Sequence, residues 1–142
     1  MDNELLIPRS AIAQVRLTKG DHKIHLVLSL GEESTAVKIA RLAPGATFSI
    51  QGEDEMSAQY KLSNWMSGII SGAHYAFRTL KIPRQEVRIR ECSARIDSSE
   101  MEALAYASAM AVFKLAGHEM AGLEGWEWAA DTLPDGKPLP GI

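Results

Sequence analysis

The clearest periodicity in the chain runs from His22 to Leu30, where Ile24, Leu26, Leu28 and Leu30 fall on one face of a strand and Lys23, His25, Val27 and Ser29 on the other. Before it, Leu5 to Leu17 reads as a lead-in around Pro8 and a first strand carrying Ile12, Val15 and Leu17, closed by a turn at Lys19-Gly20-Asp21. After it, Gly31-Glu32-Glu33-Ser34 supplies turn chemistry, and Ser34 to Leu42 fits either a further strand or a short helix. Pro44-Gly45 suits the centre of a type II turn, with Phe48 and Ile50 marking another extended piece.

The period then changes. From about Ser57 to Thr79, Leu62, Met66, Ile69, Ala73, Phe77 and Leu80 step by three and four, with Trp65 and Ile70 widening the stripe and Pro83 ending it. Glu53, Asp54 and Glu55 stand where the N-terminus of that helix favours negative charge. Gly68, Gly72 and Ala76 form a row of small residues, suited to close packing against Ala103, Ala107 and Ala111 of a second helix or against the sheet. Between the helices, Val87 and Ile89 alternate with Arg88 and Arg90 as a strand whose apolar side should face both helices.

At Asp97-Ser98-Ser99-Glu100 the pattern turns helical again, carried by Met101, Leu104, Ala105, Ser108, Ala111, Val112 and Leu115. Ser99 with Glu102 fits a capping box, and Gly117 a C-cap. Leu123, Trp126, Ala130 and Leu133 suit a short amphipathic helix, after which the residues from Pro134 to Ile142 have the composition of an unstructured end. The expected organisation is one domain with its core over about 10–117, an aromatic segment over 118–133 and a tail over 134–142.

Composition narrows the classes of function. A chain of 142 residues with 46% hydrophobic and 23% charged residues is that of an ordinary soluble domain, and its apolar runs fall well short of the ~18 residues of a membrane span. The opening residues carry two acids and no basic stretch, unlike a secretory signal. With Cys92 as the single cysteine, neither an internal disulfide nor a thiolate metal cage can form, which suits a reducing interior such as the cytoplasm. The net charge of −3 argues against indiscriminate nucleic-acid binding. The charge is unevenly spread, however: Arg78, Lys81, Arg84, Arg88, Arg90 and Arg95 face only Glu86 and Glu91 in the same stretch. Arg84, Arg88, Arg90 and Arg95 are therefore the candidate contacts to RNA or to an acidic partner. A solvated strand face is the alternative explanation of the same charges.

Catalytic chemistry is poorly represented. His22 and His25, three apart on a strand, point to opposite sides and cannot chelate together, while His74 flanks a helix stripe and His118 sits near a helix C-terminus. A cap accounts for Asp97, Ser98 and Ser99 better than a nucleophile with helpers does, and lone Cys92 behaves as a small hydrophobe. There is no glycine-rich phosphate loop, zinc-protease helix or dinucleotide fingerprint, so neither catalytic residues nor a cofactor nor a metal is assigned. Trp126 and Trp128 are the candidates for a protein interface, the alternative being that they cover a flank of their own core.

The helix ending before Ile82-Pro83, the strand Val87-Arg88-Ile89-Arg90, and Asp97-Ser98-Ser99-Glu100-Met101 leading into an alanine-rich helix with Ser108-Ala109-Met110-Ala111-Val112-Phe113 together resemble the second half of domain IV of translation elongation factor G. About Leu62 to Lys114 takes part. The resemblance implies an α+β fold in β-β-β-α-β-α order, with a split β-α-β unit, a sheet of about four strands and two helices on one face. It implies a position at the decoding site of the ribosome, with the loop Glu91-Cys92-Ser93-Ala94-Arg95 helping to form the tip. Ala94 stands where the family usually has a histidine. Two functions remain: a non-catalytic module that binds RNA, the ribosome or an acidic partner through Arg84, Arg88, Arg90 and Arg95, or a homodimeric or protein-binding domain that docks through Trp126 and Trp128.

Overall fold

The computed structural model describes residues 11–33, 40–51, 58–95 and 101–134. In chain order these form strand β1 (Ala11–Lys19), β2 (His22–Glu33), β3 (Ala40–Gln51), helix α1 (Ala58–Leu80), β4 (Gln85–Arg95), α2 (Met101–Leu115) and β5 (Glu127–Pro134). The architecture is the expected α+β one, the β-β-β-α-β-α order being followed by one further strand, with a pair of helices packed over one side of the sheet. The sheet has five strands in the order β3-β4-β2-β1-β5. β3 and β4 are parallel direct neighbours, so no strand splits the β-α-β unit that α1 closes, and the other pairings are antiparallel.

The β1–β2 hairpin closes as its residues demand. Lys19 pairs with His22 around Gly20, whose φ of 61° lies in the left-handed region that costs glycine nothing. Ala13, Val15 and Leu17 of β1, Ile24, Leu26, Leu28 and Leu30 of β2, and Val87 and Ile89 of β4 all join one core with Trp65, Ile69, Ala73 and Phe77 of α1 and Leu104, Ala107 and Ala111 of α2. The apolar alternation thus faces the helices. β2 runs on through Gly31 to Glu33 instead of turning at Gly31. In β3 the Pro44-Gly45 pair produces not a turn between two strands but a shift of register against β4 between Leu42 and Thr47. A proline that cannot donate to a ladder fits such an irregularity on an edge strand.

The helices meet where side chains are smallest. A methyl group built on Gly72 would overlap the carbonyl of Ala105, and Ser108 Oγ donates to the Ile69 carbonyl at 2.7 Å. Gly72, at the centre of the small-residue row of α1, therefore lands on α2, with Ala105 and Ser108 as the facing residues. α1 ends with Lys81 in the left-handed region (φ 58°), where Lys81 N–H donates to Arg78 O and Ile82 N–H to Phe77 O. α2 ends at Gly117 (φ 82°), as expected, with His118 N–H donating to Phe113 O.

The largest departure from expectation is β5. Residues 123–133 do not form a helix: Glu127 to Pro134 pair antiparallel with Thr18 to Ala11. Trp128, Ala130 and Thr132 share one side, so the relevant period is two, and the backbone hydrogen bonds offered by the open edge of β1 decide the outcome. Gly125, at φ 87°, breaks any helix running through Trp126. The Glu53-Asp54-Glu55 run, the Asp97-Ser98-Ser99 cap, the lead-in before Ala11, much of Ser34 to Leu42 and the tail after Pro134 lie outside the described residues.

Candidate binding surface

The outer side of the sheet, away from the helices, is polar and largely self-paired. Its composition depends on a β-bulge in β4. In register with β2, Ile89 stands opposite Leu28 and Glu91 opposite Val27, so Arg90 is an extra residue. Before it, Val87 and Ile89 point to the core; after it, Cys92 and Ala94 do. Without the bulge Arg95 would fall on the core side. With it, Arg88, Arg90 and Arg95 share the outer side. The loop expected over Glu91–Arg95 is a continuation of the strand, held between Lys23 to Val27 of β2 and Thr47 to Gln51 of β3.

The arginines reach inward along this surface. Arg88 Nε donates to Glu86 Oε1 at 2.7 Å, and the pair lies over Gly31, where a methyl group would crowd both. Arg90 Nε donates to Ser29 Oγ at 3.1 Å. Their stems help to explain why Ser29 and Gly31 are buried on a surface that no described helix covers. Beside them His25 joins three strands: Nδ1 is 3.0 Å from Glu91 Oε2 and Nε2 is 2.9 Å from Gln14 Oε1, while Ser93 Oγ donates to Glu91 Oε2 at 3.2 Å. Burial lowers the pKa of His25, Arg16 adds to the effect and Glu91 opposes both. Neutral, the ring donates from Nδ1 to Glu91 and accepts at Nε2 once the Gln14 amide is turned over; protonated, it donates to both partners.

Of the four arginines singled out from the sequence, Arg84 and Arg95 are exposed at opposite ends of β4, and Arg88 and Arg90 are half-buried between them. The strip follows the 11 residues of β4, roughly 33 Å of extended backbone. At its start, Arg84 meets His74, Arg78 and Lys81 around a cavity of about 340 Å³ floored by Phe77 and Ile82. No described acidic side chain pairs with Arg78, Lys81 or Arg84. Sequence reasoning missed this cluster, although His74, Arg78 and Lys81 at helical spacing just before Arg84 carry its signal.

The tryptophans part company. Trp126 is half-buried against the core, with Lys19 Nζ 5.0 Å from its ring centre. Trp128 is 41% exposed on β5, its indole packed over Gly122. Tyr106 Oη donates to the Ala121 carbonyl and holds the connection to α2. His22 starts β2 while His118 follows α2, and no group of three or more potential metal ligands occurs among the described residues. Cys92 is buried beneath the sheet, and its thiol pKa is pushed up to about 12 by burial and by Glu91, so the thiol is held in its protonated, weakly nucleophilic form at neutral pH. No described helix is long and apolar enough to cross a membrane. Comparison of the sequence with protein-family models and with curated proteins finds no match to either.

Proposed function

We propose that this protein is a non-catalytic module that binds RNA through the basic strip running from Arg84 along the outer side of β4 to Arg95. The observation that carries the reading is the bulge at Arg90, which brings Arg88, Arg90 and Arg95 to one side of a strand that would otherwise divide them. Arg88 and Arg90 are held by Glu86 and Ser29, so they present oriented guanidinium groups at little further entropic cost, while Arg84 and Arg95 supply exposed charge. The resemblance of Leu62 to Lys114 to domain IV of elongation factor G supports RNA, and with it the ribosome, over an acidic protein. Fluorescence anisotropy with a single-stranded RNA tests the reading. Affinity should fall steeply between 50 and 200 mM salt, roughly 0.7 in log–log slope per phosphate contact. Replacing Arg84, Arg88, Arg90 and Arg95 by glutamine should flatten that slope. Unchanged binding by the quadruple variant refutes the proposal.

A second reading rests on Trp128, a large exposed apolar side chain on a strand that, among the described residues, is paired along one side only. Such an edge pairs readily with a second copy of itself. Light scattering of the intact protein and of Trp128→Ser decides it: a dimer that dissociates in the variant supports the reading, and a monomer in both cases ends it.

A further inference from the structure

We infer that the cavity at the corner between α1 and β4 is a binding site for a phosphate monoester of about mononucleotide size, recognised by Arg78, Lys81, Arg84 and His74. The inference goes beyond the RNA reading and does not depend on it, because Arg78, Lys81 and His74 lie on α1 and its C-terminal turn, outside the β4 strip.

Three features point to such a ligand. The first is charge: three cations line one cavity, and none pairs with a described carboxylate. A helix C-terminus favours cations on its own account, but the Phe77 and Arg78 carbonyls are already taken by the N–H groups of Ile82 and Lys81. The second is an unmet hydrogen bond. Nε2 of His74 is shut off from water and has no partner, a state that buried polar groups in folded proteins rarely keep. His74 is itself only half-buried, so a turn of its ring that uncovers Nε2 would let an oxygen of a ligand seated among the cations satisfy it. The third is shape. About 340 Å³ is within the range of small-molecule sites and exceeds what a bare phosphate fills, and Phe77 and Ile82 give the remainder an apolar floor. Several cations around one anionic position match the two charges of a phosphate monoester better than the single charge of a carboxylate.

The chemistry does not say whether the ester is a free nucleotide or the phosphorylated end of an RNA, and the experiment separates them. The full-length protein is titrated by calorimetry with 5′-AMP, adenosine, succinate, and a short RNA with and without a 5′-phosphate. Expected are one AMP site per chain, no heat with adenosine or succinate, and displacement of AMP by the phosphorylated RNA only if the RNA end is the source. Arg78→Gln and Arg84→Gln, both at exposed positions, should each weaken AMP roughly tenfold or more, the ratio expected when one charge-assisted hydrogen bond to a ligand is lost. In wild-type protein AMP should also raise the His74 pKa, which burial and the neighbouring Arg84 and Arg78 hold below its ordinary value. Equal binding of AMP and adenosine, equal binding of succinate, wild-type affinity in both variants, or an unmoved His74 resonance overturns the inference. A protein that binds AMP but no RNA keeps this site and loses the β4 reading, and the reverse result does the opposite.

Discussion

Nδ1 of His25 lies 3.0 Å from Oε2 of Glu91, diagonally across the ladder between β2 and β4 on the side of the sheet turned away from α1 and α2. The contact opposes the burial that disfavours a charged ring. Because burial wins and the folded pKa lies below 6.5, the unfolded chain takes up its proton first as pH falls. Stability from this group is therefore full above pH 6.5 and is lost as pH drops from 6.5 through the folded pKa.

Glu91→Gln removes the attraction and keeps the size. The NMR titration midpoint of the His25 ring is expected below 6.5 in the natural protein and lower again in the variant. A midpoint in Glu91→Gln equal to or above that of the parent contradicts the account. Neutral-pH stability should fall by about 1–2 kcal/mol as the bonds from His25 and Ser93 weaken.

Gly72 sets the distance between the helices. Alanine there would gain up to ~1 kcal/mol of helix propensity but must push the Ala105 carbonyl away, and overpacking against backbone costs about 1–3 kcal/mol. Urea denaturation of Gly72→Ala should show a net loss of up to roughly 2 kcal/mol. Ser108→Ala, which frees the Ile69 carbonyl, should lose about 1 kcal/mol.

Cys92 should be silent towards thiol reagents. With its pKa pushed up to about 12 and its side chain wholly covered, the native protein at pH 8 is expected to react with an aromatic disulfide reagent only at the rate of unfolding. Prompt stoichiometric labelling without denaturant would show that the sheet opens there more readily than its packing implies.

A chain ending at Gly125 lacks β5 and leaves the hydrogen bonds of β1 from Ala11 to Thr18 without partners on that side. Its Tm should drop by about 10 °C or more, and it should self-associate through the bared edge. A truncated chain that melts like the full one would mean that β5 is an ornament of the sheet.

Much of the fold is written in local periods. Ile24 to Leu30 and the stripe from Trp65 to Phe77 bury the residues that their spacing indicates, because strands and helices with one apolar side have a single way to hide it. The bulge at Arg90 was not legible, since Arg90-Glu91-Cys92-Ser93 offers no glycine or proline to mark a skipped residue, and the consequence for Arg95 went with it. β5 was misread for a related reason: Leu123, Trp126, Ala130 and Leu133 fit a helical wheel, and only the unpaired edge of β1, far away in sequence, decides between the two periods. The corner around Arg78, Lys81 and Arg84 becomes a site only when Pro83 turns the chain back and brings Arg84 beside His74.

Because β1 and β5 lie side by side, the sheet acquires its fifth strand only after nearly the whole described chain has left the synthesis machinery. Until then the hairpin begun by β1 has an open flank, and contacts this distant in sequence are slow to form. The nascent protein thus passes through a stage with a sticky border, and the last strand to emerge is the one that seals it.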